Sequence, residues 1–203
     1  MSFFDEERLH NGRAYDTYLA RWREKAETPL KEAADATARK YIHYYRYNLE
    51  RTTTVHEAYE PSDALRDAVA SIEAPQIWMV LTEPWCGDSA YSLPIIAEAA
   101  DLSEHITLRI LLRDENLDII DHYLTNGGRS IPKLVAFTED GSELFTWGPR
   151  PEPARTLRQR LMDADHDGRE VTNQLLAHYD EGGWRAVDDE LAKAVSHVVT
   201  TAE

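Results

Sequence analysis

Residues 76–89 read Gln76-Ile77-Trp78-Met79-Val80-Leu81-Thr82-Glu83-Pro84-Trp85-Cys86-Gly87-Asp88-Ser89. The first seven form a short apolar run of the kind shown by a strand buried on both faces. Pro84 to Gly87 is a turn. Ala90 to Ala100 then reads as a helix with Leu93, Ile96 and Ala97 inward, and Pro94 inside it predicts a kink. Cys86 therefore falls where a strand hands over to a helix. Unsatisfied backbone N–H groups and the helix dipole favour a thiolate there, and a thiolate attacks disulfide sulfur. Asp88 suits the dipole, but its charge opposes a neighbouring thiolate, so the sign of the net shift stays open. Ser89 reads either as a hydrogen-bond donor to a thiolate or as an ordinary early helix residue.

Further along the chain, Ile106 to Leu112 reads as a second strand. Asn116 to Leu124 reads as a helix stopped by Asn126-Gly127-Gly128. Ile131 to Phe137 is a third strand, Glu139-Asp140-Gly141-Ser142 a hairpin turn, and Glu143 to Trp147 a fourth strand. The order β-α-β-α-β-β-α implies an α/β fold. Its mixed sheet is parallel in part, ends in an antiparallel hairpin and carries helices on both faces. Pro149, Pro151 and Pro153 interrupt regular structure, and helices are expected over 152–162, 171–179 and 184–198.

Before residue 76, two helices are expected. The first runs from Asp5 to Ala26 with Leu9, Tyr15, Tyr18, Leu19 and Trp22 at helical spacings. The second has Pro29 in its first turn and carries Tyr41, Ile42, Tyr45 and Leu49. Its tyrosines, Tyr41, Tyr44, Tyr45 and Tyr47, read as a packing face rather than a ligand-stacking surface. A short helix, capped by Ser62 or Asp63, runs to about Ile72. The expected organisation is a helical extension over 1–74, a core over 75–162 and a helical tail over 163–203.

Trp85-Cys86-Gly87 resembles the opening of the Trp-Cys-Gly-Pro-Cys motif of the thioredoxin superfamily. Ser130-Ile131-Pro132 followed by a strand resembles that family's cis-proline segment, and the Asp140-Gly141 hairpin follows at the expected distance. The resemblance implies a thioredoxin-like core in which Cys86 is the nucleophile and Pro132 the cis-proline. It also implies that Ile131 offers main-chain hydrogen bonds to a docked peptide, with Trp85 and Gly87 lining the groove. A narrower similarity is to bacterial thioredoxin-like proteins with a helical N-terminal extension and a Trp-Cys-Gly-Asp motif. It rests on residues 83–88, 111–116, 123–133 and 146–151. Two departures stand out. Ser89 occupies the position of thioredoxin's second cysteine, and Val80 that of its buried aspartate. A mixed disulfide formed at Cys86 has no resolving thiol in this chain and needs a protein or low-molecular-weight thiol to finish the exchange. The expected function is a monothiol thioredoxin-like redox protein, with a non-catalytic interaction module using the same groove as the alternative. Arg129 is expected near Cys86 as a thiolate stabiliser, or paired with Asp114 or Glu115.

Composition narrows the remaining classes. The 203 residues include 22 basic and 37 acidic side chains, a net charge of −15. That argues against nucleic-acid backbones and anionic membranes as partners. Cys86 is the single cysteine, so neither an intrachain disulfide nor a cysteine-based zinc cluster can form within the chain. The N-terminus has acids where a signal peptide carries bases, and no apolar run spans a bilayer, so a soluble cytoplasmic protein is expected. Only five lysines accompany the many acids, a balance that also suits a high-salt cytoplasm. Asp163, Asp165, Asp167 and Gly168 match half of a calcium loop, but Gln174 stands where the bidentate glutamate belongs. No metal or cofactor is expected. His122 and Cys86 lack a cysteine-protease signature, and Gly127-Gly128 follows a helix rather than opening one, as a phosphate loop would.

Overall fold

The structure, a computed structural model, describes residues 2–201. Four strands form one mixed sheet in the order β2-β1-β3-β4. These are β1 (Gln76–Thr82), β2 (Ile106–Leu112), β3 (Lys133–Thr138) and β4 (Glu143–Trp147). β1 runs parallel to β2 and antiparallel to β3, and β3 and β4 form the hairpin, with an irregularity at Ala136/Phe137. The partly parallel sheet and the final antiparallel pair are as the element order requires.

All seven residues of β1 are buried because both faces of the sheet are covered. Trp78 and Val80 point into one cluster with Leu134, Ala136 and the helix α5 (Gly87–Asp101). Ile77, Met79 and Leu81 point into the other with Val135, Phe137, Ile119, Ile120, Phe3 and Leu9. α5 continues through Pro94. A proline there cannot donate to the carbonyl of Ala90, four residues back. Thr52 Oγ1 donates to that oxygen instead, at 3.0 Å, so the buried acceptor is satisfied.

The helices before β1 differ from the expectation. α1 (Ser2–Asp5) is short, and regular helix resumes only at α2 (Tyr15–Glu27). Between them the chain lies along the edge of β2. The Arg13 N–H donates to Ile110 O (2.9 Å) and the Ile110 N–H to Arg13 O (2.8 Å). Gly12 permits the approach, because a Cβ there would meet Leu111 at 2.8 Å. The segment thus shields an edge that would otherwise expose unpaired donors and acceptors. Pro29 opens a single 3-10 turn, and α3 (Ala36–Ala58) starts later, capped by Asp35, which accepts from the Ala38 N–H at 2.7 Å. α4 (Asp63–Ala70) is capped by Ser62, which accepts from the Leu65 N–H. The helix expected over 116–124 shrinks to α6 (Leu117–Ile120), after which the chain turns to bury Tyr123.

After β4 come α7 (Glu152–Asp163), α8 (Gly168–Asp180) and α9 (Ala186–Thr201). The Asp163–Gly168 loop serves the helices: Asp167 caps α8 by accepting from the Arg169 and Glu170 N–H groups, both at 2.8 Å. Asp163 accepts from Gln159 within α7. α9 packs on α4 and β4. Its buried Asp188 accepts hydrogen bonds from Tyr59 Oη (2.6 Å), the Ser62 N–H (3.0 Å) and Ser62 Oγ. The segments before and after the sheet therefore meet each other as well as the core. Among the described residues, no helix is long and apolar enough to cross a membrane.

Candidate functional site

Cys86 is the N-cap of α5, with extended backbone angles (φ −79°, ψ 118°). Its N–H donates to Glu83 O at 3.0 Å, closing the turn, and its C=O accepts from Ala90 N at 3.2 Å. The side chain is buried, at 6% exposure. Sγ donates to the carbonyl of Ile131 at 3.3 Å, and the Ile131–Pro132 peptide is cis. The structure thus brings Cys86, Gly87, Ile131 and Pro132 to one corner of the sheet. Ile131 and Pro132 are buried, whereas Trp85 is half-buried.

The position at a helix N-terminus does not by itself give an acidic thiol. Burial pushes the Cys86 pKa up, and the Asp88 charge adds to the rise. The Ser89 hydroxyl and N–H and the more distant Arg150 pull the other way. Burial wins, and the thiol is pushed up to about 11. At neutral pH Cys86 is a neutral donor to the Ile131 carbonyl. The main-chain acceptor expected to meet a docked peptide is occupied by the protein's own thiol.

Asp88 points away from Cys86. It accepts a bidentate pair from Arg150 (Nε 2.8 Å, Nη2 2.6 Å) and a hydrogen bond from Tyr179 Oη at 3.0 Å. Burial raises its pKa, while Arg150 and Tyr179 oppose the rise. Arg150 follows a second cis peptide, Gly148–Pro149. Gly148 has φ 113°, and a Cβ there would lie 2.2 Å from Pro132 O, so the two proline loops are in backbone contact. One carboxylate thus ties the first turn of α5 to the loop after β4 and to α8. Gly87 faces α8 too, since a Cβ there would lie 3.4 Å from Leu176. Ser89 is fully buried and accepts from Thr82 Oγ1 at 2.7 Å.

Trp85 is held from two sides. The Arg113 guanidinium lies over its ring at 4.9 Å, and Tyr41 of α3 packs beside it at 6.2 Å. Asn48 of α3 donates to Pro84 O at 3.1 Å. Two expectations need correction. Arg129 is exposed and pairs bidentately with Asp121, at 2.7 Å on each arm, rather than with Asp114, Glu115 or the thiol. The charge is better neutralised locally than carried to a buried site. The tyrosines of α3 do not form one packing face either: Tyr41, Tyr44 and Tyr47 stay exposed, while Tyr45 is half-buried. Among the described residues, no three of His, Cys, Asp and Glu are disposed to hold a metal ion.

Sequence reasoning missed Arg113, Arg150 and Tyr179. Arg150 sat in a stretch already singled out, Thr146 to Pro151, but its partner lies 62 residues earlier.

A thioredoxin family model matches residues 35–163. The chain belongs to the thioredoxin family. No curated protein matches it. Two solved structures share its fold. One is a protein of unknown function, PA1234, from Pseudomonas aeruginosa, 21% identical with a TM-score of 0.52, over 77% of this chain and 84% of that one. The other is an HIV epitope-scaffold, 18% identical with a TM-score of 0.56, over 97% and 96%. Against the thioredoxin motif, this family member keeps the Trp-Cys-Gly opening and the cis-proline. It replaces the second cysteine with a serine that bonds inward to Thr82.

Proposed function

We propose that this thioredoxin-family protein is a non-catalytic interaction module. A segment of a protein partner is held at the corner formed by Trp85, Gly87 and the Ile131–Pro132 loop. Cys86 is a neutral structural thiol that ties this corner together. The observation that carries the reading is the Cys86 Sγ–Ile131 O hydrogen bond in a buried setting. A thiol spent on the cis-proline loop, and pushed up to about 11, is a poor resting nucleophile. The reaction rate with a disulfide reagent tests it. Relative to a free thiol of pKa about 8.5, the smaller thiolate fraction, partly offset by higher intrinsic nucleophilicity, slows exchange about twentyfold, and burial slows it further. A native-state rate at pH 7 equal to or above that of a free thiol overturns the reading.

The N-cap position of Cys86, with Ser89 and Arg150 pulling its pKa down, favours a second reading: monothiol thiol–disulfide exchange. The Cys86 thiolate would attack one sulfur of a protein or low-molecular-weight disulfide. The S–S bond would break, and the leaving thiolate would take up a proton. With no second cysteine in the chain, an external thiol would have to attack the mixed disulfide to release Cys86. A Cys86→Ser variant separates the two: partner binding survives under the module reading and is lost under the exchange reading.

A further inference from the structure

Outside the Cys86 corner, a cavity of about 190 Å³ opens between α2, the end of β2 and Pro84. Its buried lining is mainly apolar, Trp22, Leu112 and Pro84, with Tyr18 adding a buried hydroxyl. Its rim carries three cations, Arg13, Arg21 and Lys25, against one carboxylate, Glu115. That ratio reverses the balance of the chain, in which acids outnumber bases 37 to 22.

The cations are weakly engaged. Arg13 reaches Glu115 only at 3.4 Å. Lys25 sits over the Tyr45 ring at 5.7 Å and forms no ion pair among the described residues. Arg21 has neither an ion pair nor a side-chain hydrogen bond among them. Glu83, the buried carboxylate next to Pro84, accepts from the Asp114 N–H at 2.9 Å and feels the Lys25 charge without forming an ion pair with it. Arg21 and Lys25 stand four residues apart on α2, where like charges repel and destabilise a helix. Some arginines outside the cavity, Arg8, Arg129 and Arg150, do pair with carboxylates, those of Asp118, Asp121 and Asp88, a neutralisation that Arg21 lacks among the described residues.

We propose that this cavity binds a small oxyanion, a phosphate or carboxylate group. Arg21 and Lys25 supply the charge, Arg13 a planar donor fork, and the Trp22–Leu112 floor accepts a short apolar portion of the ligand. The volume is below that of sites for drug-sized ligands, which restricts the occupant to a small molecule or a single anionic group of a larger one.

Calorimetric titration and thermal melts at constant ionic strength test the proposal, with inorganic phosphate and acetate as separate probes. Saturable binding of either probe, with a melting temperature raised at about 10 mM ligand, is the expected result, and the probe that binds identifies the class. The Arg21→Gln/Lys25→Gln variant, altered only at exposed positions, should lose affinity at least about tenfold. The control Arg23→Gln/Arg39→Gln removes the same charge from exposed positions off the cavity and should bind as the parent does. No binding by either probe overturns the proposal, as does an equal loss in both variants, which would mean general electrostatics. The readout involves neither Cys86 nor a protein partner, so it stands or falls separately from the module reading.

Discussion

Cys86 and Asp88 are two residues apart in the first turn of α5, yet they meet opposite environments. Cys86 turns toward the apolar cluster of Ile131, Ile119 and Leu81 and donates a hydrogen bond to the Ile131 carbonyl. Asp88 turns toward α8 and meets a guanidinium and a phenol. The same helix N-terminus acts on both, and burial pushes both pKa values up. Their difference shows that partners, not helix position, decide where charge resides at this corner. The carboxylate has a cation within 2.6 Å and carries the charge. The thiol has none and stays neutral.

The largest expected effect comes from isolating that charge. Arg150→Met leaves Asp88 buried without its cation, and breaking such a pair costs about 3–5 kcal/mol, read by urea unfolding. Asp88→Asn/Arg150→Met removes both charges and should recover much of the loss. An Arg150→Met variant as stable as the parent would break the comparison. Gly148→Ala comes next. Its Cβ would press on Pro132 O, and φ 113° is a region that side chains rarely adopt. A loss of about 3 kcal/mol is expected.

The thiol gives the third effect. Its folded pKa lies above the unfolded value, so between about pH 9 and 11 the unfolded chain releases a proton that the fold retains. Stability contributed below pH 9 is therefore lost as pH rises, by about 2–3 kcal/mol in total. Denaturation at several pH values should show the parent losing that much more than Cys86→Ser. Buried tyrosines on which the thiol charge does not act, such as Tyr91, contribute equally to both. The smallest effect is Tyr179→Phe, which removes one hydrogen bond to Asp88 while Arg150 remains. A loss of about 1–2 kcal/mol is expected in the same assay.

Legibility in the sequence followed contact distance along the chain. β1 and the turn into α5 were readable because strand, turn and helix are consecutive and each has a local pattern. The same holds for the β3–β4 hairpin, announced by Asp140-Gly141. The apolar pattern alone reads the segment over 6–14 as a continuation of helix, yet Leu9 stands six and nine residues before Tyr15 and Tyr18, off the face that Tyr15, Tyr18, Leu19 and Trp22 share. Leu9 in fact serves the opposite face of the sheet from Tyr18, and the Asn11-Gly12 pair was the available warning. The setting of Cys86 was readable only as far as its helix N-terminus. Its burial and the Asp88–Arg150 pair come from packing between segments 45 and 62 residues apart, which leave no local spacing to read.

Titration of the Cys86 thiol tests the central claim most directly. Thiolate absorbance of the native protein, followed against pH with Cys86→Ser subtracted, should stay flat below about pH 9.5 and reach its midpoint near 11. A midpoint at or below about 8.5, the value of an unperturbed thiol, would contradict the account and return Cys86 to the role of nucleophile.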